Sequence, residues 1–449
     1  MDRRQFLKNS AMIAAAAAAN ESAAWSQAVG GTQGRDEHVV APSQPLITSA
    51  PMLQNYAETS MGVAFAVSGL ANGFVSYGLK PDLGDAVTVK CGGYRVTDIN
   101  PHVMLVRLTG LLPATTYYYR IGADAIDYKG GYNMRVTDTV VDPRIYSFTT
   151  AGAKAHSSFC IINDTHAQWK PFGMAVDKIA QLAPACVVWN GDATNCEEQM
   201  DSLVNIFLRP DIERNDYAAL VPYLFCNGNH DCRGMASRHL ERVWMYRQPE
   251  ERAARDWDLG RNFAVRTGDI ALIGLDTGED KLDDDPRFAG LFSSGPYREA
   301  QVAWLRDALQ RPYISSAPFL VAICHIPLFD LDPKANPGDI LPKDAGDDYD
   351  TDYASWQRTC ARLWSPLLEQ AGCQLVITAH QHKYRYDAPT ATRPWVQIVG
   401  GGPEMNLEAG LYPTVIEGSV NQSLLRIRVH NLLTDTVQEQ FTFAPRRKN

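Results

Sequence analysis

The 449-residue sequence has no Cys-x-x-Cys pair, no basic stripe interleaved with aromatic residues and only ten histidines. Without the basic stripe, and with a formal net charge of -9, the chain has no electrostatic grip for nucleic acid. The cysteines are nine, an odd number, so at least one is free or pairs outside the chain. Cys160, Cys186, Cys226, Cys324 and Cys373 sit in or beside strand-like runs, where a thiol behaves as a small hydrophobe. Whether Cys226 and Cys232 form a disulfide is left open by the sequence. The acidic stretches do not follow the EF-hand spacing, and Gly400-Gly401-Gly402-Pro403 lacks the Lys-Ser/Thr ending of a nucleotide loop.

What is present begins with a leader-like start. Arg3-Arg4-Gln5-Phe6-Leu7-Lys8 precedes a weakly apolar stretch through Met12, Ile13 and the alanines at 14 to 19. That run is far below the roughly 20 residues needed to cross a bilayer, so no transmembrane anchor is expected. The layout resembles a bacterial twin-arginine (Tat) export signal, a receptor-read address, with Ser26 and Ala28 placing cleavage after Ala28. The resemblance implies passage through the Tat translocation machinery, already folded, to the periplasm or the exterior.

The length argues for two domains. Residues 1–28 read as the signal and 29–50 as a polar, Pro-containing linker. Residues 51–150 read as a small all-β sandwich, with strands at Val63–Val67, Gly73–Tyr77, Val87–Lys90, His102–Leu108, Thr116–Ile121 and Ile145–Thr149. Residues 151–449 read as an α/β domain. Apolar runs at 158–162, 185–190 and 221–226 alternate with a helical pattern at 171–183. Later come strands at Phe263–Val265, Ile270–Leu275, Pro318–Cys324, Leu375–Thr378, 394–399, 423–429 and 438–443, and a helix at Tyr297–Gln310. Within the β region, Leu108-Thr109-Gly110-Leu111-Leu112-Pro113 running on to Arg120 resembles the end of a fibronectin type III module. Such modules also precede the catalytic domain in purple acid phosphatases.

Five of the ten histidines fall in five ordered clusters: Asp164-Thr165-His166, Gly191-Asp192, Gly228-Asn229-His230-Asp231, His325 and His380-Gln381-His382. Carboxylate, amide and imidazole donors in this number suit two hard divalent cations, with Asp192 able to bridge. Asp164 and His166, read as an extended strand end, point to one side and can share an ion, and His380 and His382 repeat the spacing. Glycine at 191 favours the sharp turn that presents Asp192. Asn229 ligates without adding charge.

In this order the clusters resemble the D-x-H, G-D, G-N-H-D/E, H and G-H-x-H blocks of the calcineurin-like metallophosphoesterase superfamily. The resemblance implies two facing mixed β-sheets flanked by helices. It also implies one ion on Asp164, His166, Asp192 and His382, and another on Asp192, Asn229, His325 and His380. His230 falls on the substrate side as a catalytic group, and Asp231 is expected to orient its imidazole. Ala379 stands where the family has glycine. Purple acid phosphatases carry D-x-G in the first block and a tyrosine three residues after the second Asp. This chain has His166 and Asn195 there, so a tyrosinate-bound iron site is not expected.

The resulting expectation is hydrolysis of phosphoric esters by a bridging hydroxide at a dinuclear centre of Fe, Mn or Zn, divalent or mixed-valence. A small phosphorylated substrate is compatible with the acidic chain because bound metals reverse the local field. A phosphomonoesterase of acid- or alkaline-phosphatase type is favoured over a phosphodiesterase or nucleotide hydrolase. The competing class is an exported, non-catalytic binding protein. Residues 330–352, with eight Asp, read as a surface loop or as a flap carrying Tyr353 or Trp356 toward a leaving group.

Overall fold

The protein is described by a computed structural model covering residues 44–91, 100–246, 257, 259–329, 362–391 and 393–446. The leader, most of the linker and the acidic 330–352 segment lie outside the described residues. Eight strands come first: β1 Met52–Gln54, β2 Ser60–Ala66, β3 Ala71–Gly78, β4 Val87–Lys90, β5 Val103–Thr109, β6 Thr116–Tyr128, β7 Met134–Val141 and β8 Tyr146–Thr149. Strands and helices then alternate: β9 Ser158–Ile162, the helix Trp169–Leu182, β10 Val187–Asn190, the helix Met200–Phe207, and β11 Tyr223–Cys226. The hairpin β12 Phe263–Thr267 and β13 Ile270–Leu275 leads to the helix Ser294–Gln310 and β14 Phe319–Cys324. The helix Ser365–Gln370 precedes β15 Leu375–Thr378, β16 Arg385–Asp387, β17 Val396–Val399, β18 Thr414–Asn421, β19 Leu424–Asn431 and β20 Thr436–Phe443.

Two sheets carry the α/β half. The larger runs β20-β19-β18-β9-β10-β11-β1-β2-β5, and the smaller runs β12-β13-β14-β15-β17-β16. Within them β9, β10 and β11 are parallel, as are β13, β14, β15 and β17. Parallel strands covered on both faces favour apolar residues, which is why these segments, apart from Gln397 in β17 and the terminal Ser158, Asn190 and Thr378, read as hydrophobic runs. Alternate side chains divide between two cores. Ile161, Val188 and Leu224 face the opposing sheet, where Leu272, Val321 and Ile377 meet them in one cluster. Ile162, Trp189 and Phe225 face the helices, packing with Phe172, Val176 and Phe207.

The third sheet, β4-β3-β6-β7 with β8 on β6, covers β1, β2 and β5, so residues 51–150 make two packed β layers. One of those layers is continuous with the α/β half. β1 pairs in parallel with β11 at Gln54 and Tyr223, and the tyrosine hydroxyl of Tyr119 donates to the Ala219 carbonyl at 2.7 Å.

Four of the structure's strands, β1, β7, β16 and β18, were not expected from the sequence. β7 is exposed along most of its length, so it has no apolar alternation to read. β18 pairs with β9, the strand that leads to Asp164, and its pattern is broken by Gly418 and Glu417. Both interruptions have tertiary causes. A Cβ at Gly418 would lie 2.3 Å from the Phe159 ring, and Glu417 is paired with His430 at 2.8 Å and Arg428 at 2.5 Å.

Trp189 is the anchor of the helix-side core. It is 1% exposed, stacks on Phe172 at 4.8 Å and meets Phe207 edge-on at 5.3 Å. Trp189→Ala should cost about 3–5 kcal/mol, as for other buried aromatic truncations. Equilibrium urea unfolding would show it as a lowered midpoint with an unchanged slope, and an unchanged midpoint would refute it.

Candidate metal centre

All five clusters stand at carboxyl ends of parallel strands: Asp164 after β9, Asp192 after β10, Asn229 after β11, His325 after β14 and His380 after β15. Strand ends of open α/β sheets collect ligands because every strand delivers its outgoing loop to the same edge. Here two facing sheets deliver to one place. Asp164, His166 and His382 have ligand atoms within 4.8 Å of one another, as do Asp192, His325 and His380, and His166, Asp192 and His230. Asn229 joins them with its Oδ1 2.9 Å from His380 Nδ1.

The backbone route differs from the extended strand ends expected. Asp164, His166, Asp192, His380 and His382 all have positive φ, between 46° and 69°. Each such residue costs on the order of 1–3 kcal/mol and persists only where its surroundings over-determine it. The surroundings here are hydrogen bonds between successive strand-end loops, Asp164 N to Gly191 O at 3.0 Å and His166 N to Asp192 O at 2.9 Å. Convergence of the paired side chains thus comes from a left-handed turn and not from the pleat. Gly191 behaves as expected, with φ of +77°. Ala379 is not among the positive-φ residues, so alanine in place of glycine there carries no torsional cost.

The donor set fits a pair of cations. Asp164 Oδ1 is buried and makes no hydrogen bond. Around it stand the Nε2 atoms of His382 at 3.4 Å, His325 at 3.7 Å and His166 at 4.0 Å. His325 Nε2 is likewise buried, with Asp192 Oδ2 3.1 Å away. Ligands about 2.0–2.2 Å from a common ion stand roughly 3–3.6 Å from each other, close to the spacing seen.

The tautomers agree. His166 Nδ1 faces Asn195 Oδ1 at 2.7 Å, His382 Nδ1 faces Glu404 Oε1 at 2.6 Å, and His325 Nδ1 faces the Asn190 carbonyl at 2.9 Å. All three partners accept, so each ring donates from Nδ1, and a ring that is neutral turns its Nε2 lone pair inward. The His166 and His382 Nε2 atoms meet at 3.1 Å, close enough to share a proton or to flank a common cation.

The charge balance points the same way. Burial alone would lower the His325 pKa, but the Asp192 and Asp164 carboxylates beside it push it up to about 10. Burial likewise opposes the charged form of His382, and Asp164 and Glu404 raise it to about 9. His380, dominated by burial and by its neighbour His325, drops to about 4. Burial works against the ionised form of Asp192, yet His325, His230 and His166 hold it well below the usual carboxylate range.

Asp231 departs from its expected role. It does not touch the His230 ring. Its Oδ2 accepts from the backbone N–H of Asp192 at 2.7 Å and of Gly228 at 2.8 Å, and Oδ1 accepts from Thr194 N at 3.0 Å. It is a fully buried clamp between two strand-end loops, and burial, then Asp192, push its carboxyl up to about 7. His230 is instead oriented by Arg233, whose Nη1 donates to Nε2 at 3.2 Å, and by Cys196, with Sγ 3.6 Å from Nδ1. Burial first, then Arg233, lower the His230 pKa despite the opposing pull of Asp192. Arg233 is itself fastened by Glu279 at 2.7 Å and Asp280 at 2.6 Å.

Arg233, Glu279, Asp280, Asn190 and Glu404 were not picked out from the sequence. The pair Glu279-Asp280 follows β13 as the clusters follow their strands, and that position was the available signal. Cys226 and Cys232 are both free thiols, Cys226 donating to the Leu275 carbonyl at 3.1 Å and Cys232 to the Asn229 carbonyl at 3.1 Å.

Comparison with known proteins places this centre in a family. The chain belongs to the calcineurin-like phosphoesterases, whose family model matches residues 157–384. Among solved structures, PhoD is similar with a TM-score of 0.61 at 12% identity, over 90% of this chain and 92% of that one. A purple acid phosphatase, PPD1 from yellow lupin (Lupinus luteus) seeds, is similar with a TM-score of 0.56 at 15% identity, over 88% of this chain and 74% of that one. At these identities the likeness is one of fold. No curated protein matches the chain. Among the described residues no helix is long and apolar enough to cross a membrane.

Gly191→Ala tests how tightly the site is built. A Cβ there would lie 2.4 Å from His325 Nδ1 and 2.7 Å from the Gly228 nitrogen, at a φ of +77°. The variant should lose about 1–3 kcal/mol from backbone strain and displace the imidazole. Thermal unfolding and a crystal structure would show both; a wild-type melting midpoint would contradict the reading.

Proposed function

We propose that the protein is a metal-dependent phosphomonoesterase that works at a dinuclear centre and is exported by the twin-arginine route. The observation that carries the reading is the buried Asp164 Oδ1, surrounded by imidazole nitrogens it does not hydrogen-bond. Asp164, His166, Asp192 and His382 would hold one ion, and Asp192, Asn229, His325 and His380 the other. All donors are oxygen or nitrogen, which suits Fe, Mn or Zn. When bound, two such cations lower the pKa of a water and offset charge on the phosphoryl oxygens.

The chain's own groups do the rest. His230 is half-buried, edge-on to His166 at 4.9 Å and held by Arg233, which places it to hydrogen-bond the phosphoryl group or the leaving oxygen. Asp231 holds the loops of Asp192 and Asn229 in register. Asn195, which also donates from Nδ2 to the His166 carbonyl at 2.8 Å, holds His166 by both its ring and its backbone. Monoesterase and diesterase sites share such ligands and differ in how large a leaving group the rim admits. The β region at 51–150 is proposed as a fibronectin type III-like support.

Asp192→Asn should reduce turnover of p-nitrophenyl phosphate by at least on the order of 10²–10³-fold, since several kcal/mol of charge stabilisation go with the ions. Its circular dichroism should stay that of the wild type. Activity near wild type would remove the assignment, and faster wild-type turnover of bis-p-nitrophenyl phosphate would make the enzyme a diesterase.

The export reading rests on Arg3-Arg4 and the apolar stretch after them. Changing both to lysine should leave the protein in the cytoplasm of a bacterial host. Equal amounts of wild type and variant in the periplasm would refute it.

A further inference from the structure

The run Gly400-Gly401-Gly402-Pro403-Glu404 leaves β17 and passes beside the metal centre, beyond the residues matched by the family model. Its glycines leave no room for side chains. A Cβ at Gly400 would lie 2.1 Å from Asn163 Oδ1, at Gly401 2.1 Å from the Tyr412 carbonyl oxygen, and at Gly402 2.6 Å from His382 Cβ. The segment is fastened at that distance by Gly400 N to Thr378 O at 2.8 Å, Gly401 N to Thr414 Oγ1 at 2.9 Å and Gly402 N to His382 O at 3.0 Å. Asn163 ties it to the site, its Nδ2 donating to both the Gly401 carbonyl at 3.0 Å and Asp164 Oδ2 at 2.8 Å.

This close passage delivers Glu404. Its Oε1 accepts from His382 Nδ1 at 2.6 Å, while its Oε2 is buried without a hydrogen-bond partner. The other imidazoles have weaker outer partners: a neutral amide for His166 and a backbone carbonyl for His325. Asp280 lies 3.7 Å from His380 Nε2, but its charge is already offset by Arg233 at 2.6 Å and Lys281 at 2.5 Å. Among the described residues no arginine or lysine pairs with Glu404, whose side chain is 38% exposed.

We propose that Glu404 is a positioning residue that makes the two metal positions unequal. Resting on the two-ion reading above, it strengthens His382 as a donor and adds negative charge to the Asp164–His166–His382 position. That position therefore binds its ion more tightly and fills first. Outer-sphere partners of this kind typically change metal affinity by about 10–100-fold when removed.

The test is a titration of metal-free full-length protein with Mn(II) against a competing chelator, counting bound metal at each step. Wild type should show two affinity classes of one ion each. Glu404→Gln keeps the shape and the acceptor but removes the charge, and should weaken the tighter class by about 10–100-fold while leaving the other unchanged. Two equal wild-type sites, equal weakening of both classes, or no change in either would overturn the inference and leave the two-metal reading standing. A wild-type protein that takes up no Mn(II), Zn(II) or Fe(II) would overturn both.

Discussion

Asp164 and Asp192 bring two carboxylates into one buried place, at 0% and 1% exposure. A carboxylate removed from water favours its neutral form, and two close together repel. Positive charge must therefore be supplied from every side. In the protein's own balance the imidazoles supply it, which is why His325 is pushed up to about 10 and His382 to about 9. Divalent cations meet the same requirement more fully, because they neutralise both carboxylates without using a hydrogen-bond donor. With Nδ1 of His166, His325 and His382 held by an acceptor behind each ring, loss of the Nε2 protons would leave three lone pairs facing inward for such cations.

Holding such a site open requires a scaffold that does not yield. Left-handed backbone at five of the proposed ligands stores strain, and the facing sheets hold it in place. Gly191 and Gly228 allow the loops after β10 and β11 to touch; at Gly228 a Cβ would come within 2.2 Å of Asp192 Oδ1. Asp231 binds these loops together through three backbone amides, a role that uses both its oxygens. The β region serves the same end. β1 extends the main sheet past β11, and the Gln54 amide donates to the Val243 carbonyl at 3.1 Å, bracing the segment that follows Asn229.

Much of this was legible before the fold was known. Strands β9, β13 and β15 match the apolar runs residue for residue, because parallel strands buried on both faces have few polar positions to blur them. The candidate clusters were legible for a related reason, since Asp and His directly after an apolar run have few structural explanations. β7 and β18 were not legible. The first is exposed, and the second carries a buried Glu417 whose partners Arg428 and His430 come from the neighbouring strand.

By itself the sequence determined which atoms could bind metal and the order in which the strands present them, because hydrophobic runs and donor types are local properties. Tertiary structure alone decided which ring nitrogen faces inward, that Asp231 clamps backbone and does not orient His230, and that Arg233 and Glu404 stand behind the imidazoles. His325 faces a carbonyl 135 residues away, Asp231 reaches an amide 39 residues away, and Arg233 and Glu404 meet partners 46 to 47 and 22 residues away. Hydrogen bonds at such separations are set by how the strand-end loops pack, and no periodicity in the chain records that.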